Sequence, residues 1–260
     1  MRTSRLRSVD RRSLSYAGLA ITLLAVSIPL SHAPWTFSPW VHTILESLGT
    51  TLALTVGAVA LVRYSAGRIR IFCPLGGAFL AAGVLNAIHT VLSAPSFAEY
   101  LAKLPAALVP WSAVISRLYL SGMMCVVLLS SRALTADPTV KRVQDRRWCL
   151  VVTLGAFASL AVVLLIPFPP ALYGGYPIRR AIELASGVLF TIAALACWLQ
   201  GQWKSRGFYH WLLLFLITAA SGQLVYMPLS TRDLDPEEWM AHVLAILACG
   251  FVLASLSSSF

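Results

Sequence analysis

Charged residues are scarce in this chain, at 12% of 260 positions, about half the share of an ordinary soluble domain. Acidic residues are scarcer still: ten Asp and Glu stand against twenty Lys and Arg, for a formal net charge of +10. The five cysteines form no CxxC pair, no phosphate loop with its lysine occurs, and neither a nucleophile elbow nor a zincin motif is present. The chain is therefore read as a non-enzyme, since nothing in it carries a recognisable catalytic pattern. Alternating segments of about ten residues, the mark of a membrane β-barrel, are missing as well.

Apolar residues are abundant. They make up 58% of the chain, and the mean hydropathy is +0.77. They come in runs of roughly twenty, the length at which a helix matches the hydrocarbon thickness of a bilayer. The expected fold class is all-α: a polytopic integral membrane helix bundle of about eight transmembrane helices. The expected spans are 14–32, 40–62, 71–91, 110–130, 148–168, 180–199, 208–227 and 238–257. Residues 1–13 then form a basic cytoplasmic N-terminus and 14–260 the transmembrane domain. The first run is read as a retained span, because Trp35, Pro39 and Trp40 lead straight into another one. Ser38-Pro39 and Asp235-Pro236 each offer an N-cap followed by proline at the first helical position.

The basic charge is not spread as on a nucleic-acid-binding face. It lies in the N-terminus up to Arg12, in Arg63–Arg70, in Arg132–Arg147 and in Lys204–Arg206, all on one side of the spans. The other side holds only Lys103, Arg179, Arg180 and Arg232, together with the acidic run Asp233, Asp235, Glu237 and Glu238. This is the positive-inside bias, which places both termini in the cytoplasm of a bacterial inner membrane and makes the lipid bilayer, not nucleic acid, the partner. Cys73, Cys125, Cys149 and Cys197 fall toward the inner side and Cys249 near mid-membrane, and all five are read as unpaired small core residues. Gly76, Gly77 and Gly83 suit helix packing. Six tryptophans at span ends (Trp35, Trp40, Trp111, Trp148, Trp203 and Trp239) suit interfacial belts. His32 and His210 lie at span ends and are read as interfacial.

Ionisable groups inside spans are expensive and mark candidate sites. Here they are His42 and Glu46 in the second span, Asn86 and His89 in the third, and Arg117 in the fourth. Arg180 and Glu183 open the sixth, Gln223 lies late in the seventh, and His242 early in the eighth. Helix direction puts every one in the outer leaflet half and leaves the inner half nearly free of charge. His42/Glu46 at i,i+4, and Asn86/His89 and Arg180/Glu183 at i,i+3, each share one helix face. Six helices thus contribute polar groups at one level, which suits a ligand, proton or metal site as well as a self-neutralising ion-pair network. Arg117 is the expected counter-ion of Glu46 or Glu183, or of an anionic ligand. His42, His89 and His242 with a carboxylate would suit a transition metal, and two facing histidines could hold a haem.

The residues His42-Thr-Ile-Leu-Glu46, Gly83-Val-Leu-Asn-Ala-Ile-His89-Thr90 and Trp111 with Arg117 resemble the bacterial membrane-associated sensor (MASE) domains, the third type in particular. Glu183, Gln223 and Ala241-His242 also resemble family positions, so the similarity runs from about residue 40 to 257. Asn86 stands where an aspartate is expected, Gln223 where a glutamate is, and Ala241 where a glycine is. The resemblance implies a signal-input module of about eight helices. Such a module normally joins a cytoplasmic diguanylate cyclase, hence cyclic di-GMP signalling, or a histidine kinase. The expected function is detection of a ligand or membrane state at the outer polar cluster, relayed through the eighth span; a homodimer is compatible with it. The alternatives are a haem- or metal-binding membrane redox protein and, less well supported by an apolar inner half, a transporter.

Overall fold

A computed structural model describes residues 2–67, 69–97, 99, 103, 108–134, 141–165, 182–231 and 234–257. The described residues form helices and short turns, with no strand among them. The helices are α1 (Arg2–Leu30), α2 (Pro39–Gly67), α3 (Phe72–Ser93), α4 (Leu108–Leu134), α5 (Lys141–Leu165) and α6 (Glu183–Gln200). They are followed by α7, which runs Gly207–Leu229 with a π-helical turn over Gly222–Tyr226, and by α8 (Pro236–Ser257). All eight are long and apolar enough to cross a membrane. The chain is a multi-pass helical membrane protein, as its hydropathy predicts.

Two expected helix starts are built as the sequence implies. The Ser38 hydroxyl accepts the Val41 amide at 3.3 Å, and the Asp235 carboxylate accepts the Glu238 amide at 2.9 Å. Both satisfy donors that a helix N-terminus leaves orphaned, with proline at the next position, where no amide is needed.

Six of the helices close into a ring in the order α2–α3–α4–α6–α7–α8, with α8 packed back on α2. α5 lies outside the ring against α3 and α4, and α1 lies outside it against α7. α1 is tied on by the Tyr16 hydroxyl, 2.6 Å from His210 Nδ1, and by the Arg12 guanidinium, which donates to the Trp203 carbonyl. Phe79, Phe190 and Phe215 meet in the ring interior, with ring centroids 5.4 and 5.9 Å from Phe215. The outer faces of α1 and α5 leave Ile21, Leu24, Ile28, Leu154, Phe157 and Leu164 exposed, as suits helices that face hydrocarbon.

The tightest crossing is α2 on α3, and it depends on glycine. A Cβ at Gly57 would lie 2.6 Å from the Leu80 side chain and 2.9 Å from the Gly76 carbonyl, and one at Gly76 would lie 2.9 Å from the Gly57 carbonyl. Backbones meet here directly, the small-residue mode of membrane helix packing that Gly76 and Gly83 lead one to expect.

Three expectations need correction. α2 continues to Gly67 rather than ending at 62, so Arg63 sits buried within a helix instead of in a loop. The inner end of the ring is thus not wholly without charge. Trp203 and Trp148 are buried, at 1% and 8% exposure, and so are packing residues rather than belt residues; Trp203 stacks on Trp198 at 4.4 Å. Trp35 and Trp40 are exposed. Cys149 is exposed rather than a core residue, while Cys73, Cys125, Cys197 and Cys249 are buried as expected; all five are free thiols.

Candidate functional site

The six ring helices are the same six that carry the intramembrane polar residues. α2, α4, α6 and α8 begin at one end of the ring, and α3 and α7 finish there, so their polar turns meet at a single level. Among the described residues, α1 and α5, which lie outside the ring, bring nothing to it. The polar level expected from helix direction is therefore also a plug across one end of the ring.

Glu46 is the hub. It is 4% exposed, and both carboxylate oxygens are engaged. Oε1 lies 2.7 Å from His242 Nε2, 3.7 Å from His89 Nε2, 3.7 Å from an Arg117 guanidinium nitrogen and 4.0 Å from His42 Nε2. Oε2 accepts the Asn86 amide at 2.6 Å, and the same amide nitrogen donates to Thr50 at 2.9 Å. Arg117 is the expected counter-ion, and it serves both acids: its other terminal nitrogen donates to Glu183 Oε1 at 2.8 Å.

Two of the imidazoles are oriented from behind. His242 Nδ1 lies 2.6 Å from the Glu238 carbonyl, which can only accept, so this nitrogen carries a proton. His89 Nδ1 faces the Val109 carbonyl at 3.1 Å and the Ser112 hydroxyl at 3.0 Å; that hydroxyl is already donating to the same carbonyl. His89 Nδ1 is therefore a donor too. Both rings turn Nε2 inward to Glu46. Because His242 Nδ1 already holds a proton, the 2.7 Å contact at Nε2 requires one further proton, supplied by either the imidazole or the carboxyl.

The placement of His242 is set by the start of α8. Asp235 accepts the amides of Glu238 and Thr231, the latter at 2.7 Å, while the Glu238 carboxylate accepts the Leu234 amide at 2.7 Å. Leu234 takes a left-handed φ of 62°, a conformation costly for a bulky residue, and its carbonyl accepts the Phe37 amide at 3.0 Å. Asp235→Ala should lower stability by about 1–2 kcal/mol. The check is a lower thermal midpoint in detergent, with a larger loss than Ser38→Ala, whose cap is exposed and longer.

Gln223 stands apart from the hub, in the π-helical turn of α7. Its Oε1 accepts the Ser186 hydroxyl at 3.2 Å, which places it one turn along α6 from Glu183. The two backbones approach closely here, since a Cβ at Gly187 would sit 3.1 Å from the Gln223 carbonyl carbon. Such π-turns re-aim side chains and are frequent at functional sites. A cavity of about 110 Å³ continues from Glu46, Asn86, Arg117, Gln223 and His242 toward Phe190 and Phe215. Thr218 also lines it, with its hydroxyl buried and without a hydrogen-bond partner among the described residues.

Eight of the nine predicted site residues thus share this end of the ring; Arg180 lies outside the described residues. Sequence reading missed Thr50, Thr90 with its hydroxyl 3.3 Å from that of Thr50, Ser112, Ser186 and the carbonyl of Glu238. Four of these were within reach of a helical-face argument: Thr50 follows Glu46 by four, Thr90 follows Asn86 by four, Ser186 follows Glu183 by three, and Glu238 precedes His242 by four.

In a comparison with protein families, residues 33–259 match the MASE3 membrane-associated sensor domain. The chain belongs to this family. The match takes in α2 to α8, hence the whole ring, and begins just after α1. No curated protein and no solved structure matches the chain. Family membership assigns the sensor domain a sensory input role at the membrane. Within it, the histidines that could ligate a haem or a metal lie beside a cavity of about 110 Å³.

Proposed function

We propose that the chain is the signal-input unit of a bacterial inner-membrane signalling system, with both termini in the cytoplasm and the Glu46 cluster in the outer leaflet half. A ligand or membrane state acting there changes the packing of α8 against α2. α8 then passes the change to a cytoplasmic output such as a diguanylate cyclase or histidine kinase. In this reading the chain has no catalytic step of its own, residues 14–260 act as one unit, and pairing as a homodimer is compatible with relay to dimeric outputs.

The observation that carries this reading is the reach of one buried carboxylate to α8. His242 binds Glu46 directly from the second turn of a helix that crosses to the opposite end by Ser257. Any ligand that competes for Glu46 must bias the α2–α8 contact, and a ligand shifts an equilibrium only through such differential contacts. The positive-inside distribution of lysine and arginine supports the orientation.

The test is a chimera that joins α8 in frame to a cyclase domain, read by cyclic di-GMP output in cells. His89→Ala, His242→Ala and Glu46→Gln should each move output at least about fivefold from the wild-type chimera at equal membrane abundance, a coupling of the size expected between linked sites. Leu164→Ala, on the lipid face of α5, should leave it unchanged. Wild-type output from all three folded site variants refutes the assignment.

A further inference from the structure

We propose that His42, Glu46 and His242 form a binding site for one divalent transition-metal ion of the zinc class, with the His89 imidazole beside it. This rests on the reading of the cluster as the sensor's ligand site and names the ligand.

The donor atoms of His42, Glu46 and His242 lie within 4.8 Å of one another, and all three residues are buried. Donors at zinc distances of about 2.0–2.2 Å in a tetrahedron stand about 3.3 Å apart. The present separations from Glu46 Oε1, 2.7 Å to His242 and 4.0 Å to His42, straddle that value, so small side-chain movements suffice. His89 Nε2, 3.7 Å from the same oxygen, is the nearest further nitrogen donor.

Orientation favours a metal over a simple ion pair. Neutralising Glu46 needs one cation, and Arg117 is already shared between it and Glu183. Yet three imidazoles bring Nε2 to within 4.0 Å of one oxygen, and two of them, His242 and the neighbouring His89, anchor Nδ1–H on the protein behind. A hydrogen bond from the far ring nitrogen is what fixes the tautomer of a metal-ligating histidine. Two nitrogen donors select a borderline ion such as zinc, nickel or copper(II) over magnesium or calcium, which prefer oxygen.

Glu46 and Glu183 against Arg117 leave one negative charge among these three groups, and the proton in the His242–Glu46 contact balances it. A divalent ion in place of that proton brings these groups to one net positive charge, which a hydroxide in the fourth coordination position offsets. Coordination bonds form to His42 Nε2, His242 Nε2 and Glu46 Oε1, and the one proton leaves to solvent. Binding therefore separates His242 from its direct contact with Glu46, the joint between α8 and α2.

The experiment uses the full chain, stripped with chelator and reconstituted in nanodiscs, and titrated with zinc alone. Equilibrium dialysis with elemental analysis should find one ion per chain. His42→Ala and His242→Ala should each weaken binding at least about 100-fold. His32→Ala and Cys149→Ser, at exposed positions, should bind as wild type. His42→Ala is the gentler variant for folding, because its ring is outside hydrogen-bond range of Glu46 at 4.0 Å. Cobalt(II) in the same site should show visible ligand-field bands without a thiolate charge-transfer band.

The proposal is overturned if no stoichiometric zinc is taken up, if both histidine variants bind as wild type, or if cobalt reports thiolate ligands. The outcomes separate the two readings. If zinc fails to bind while Glu46→Gln still moves the chimera's output, the metal is refuted and the sensor reading stands. If one ion binds at these residues but neither metal nor variant moves output, the sensor reading fails and the metal site stands.

Discussion

Glu46→Ala should lower the thermal midpoint of the purified protein by about 6–12 °C. Removing one member of a buried, hydrogen-bonded charge cluster costs about 3 kcal/mol or more, and a chain of this size loses about 2–4 °C for each kcal/mol. The loss is large because Glu46 is the common acceptor. Without it the His242 and Asn86 donors lose their shared partner inside the ring, and Arg117 keeps only Glu183 of the two acids. Glu46→Gln should lose less, since an amide oxygen can still accept from His242 while the charge is gone. A double-mutant cycle separates interaction from mere truncation. Glu46→Ala with His242→Ala should fall short of the sum of the two single losses by at least about 1 kcal/mol. Additive losses would mean that the 2.7 Å contact carries no coupling.

Gly57→Leu should have an effect of similar size on folding, although it lies far from any charged group of the cluster. Even the first carbon of the new side chain would overlap Leu80 and the Gly76 carbonyl at 2.6–2.9 Å, and backbone cannot step aside as a side-chain tip can. α2 and α3 carry four residues of the cluster between them, His42, Glu46, Asn86 and His89. Separating these helices removes half of the site along with the tightest crossing. The expected result is loss of the monodisperse peak when membranes are extracted in mild detergent, a destabilisation of about 3 kcal/mol or more. Gly18→Ala and Gly250→Ala, where an added Cβ meets nothing within 4 Å, should leave that peak intact. A normal peak for Gly57→Leu would show that the α2–α3 crossing can open without unfolding the ring.

Both predictions depend on contacts that hydropathy does not encode. The eight spans are legible because the bilayer requires about twenty apolar residues per crossing, whatever surrounds them. The common level of His42, Glu46, Asn86, His89, Arg117, Glu183, Gln223 and His242 is legible too, because helix rise and direction convert position into depth. Arg63 and Trp203 mislead a sequence reading for the same reason in reverse. Residues near a span end read as interfacial, and only packing by other helices buries them.

Spacing along single helices is enough to establish a helical membrane protein of eight spans with a polar layer at one end. It does not say which acid is the centre of that layer, because Glu46 and Glu183 look alike in sequence. Packing makes the distinction. Ring closure of α8 onto α2 gives Glu46 the imidazole of His242, while Glu183 keeps the other arm of Arg117. That outcome depends on which helices are neighbours, and helix order around a ring is fixed by close packing at places such as Gly57 and Gly76, not by the polarity of any one span.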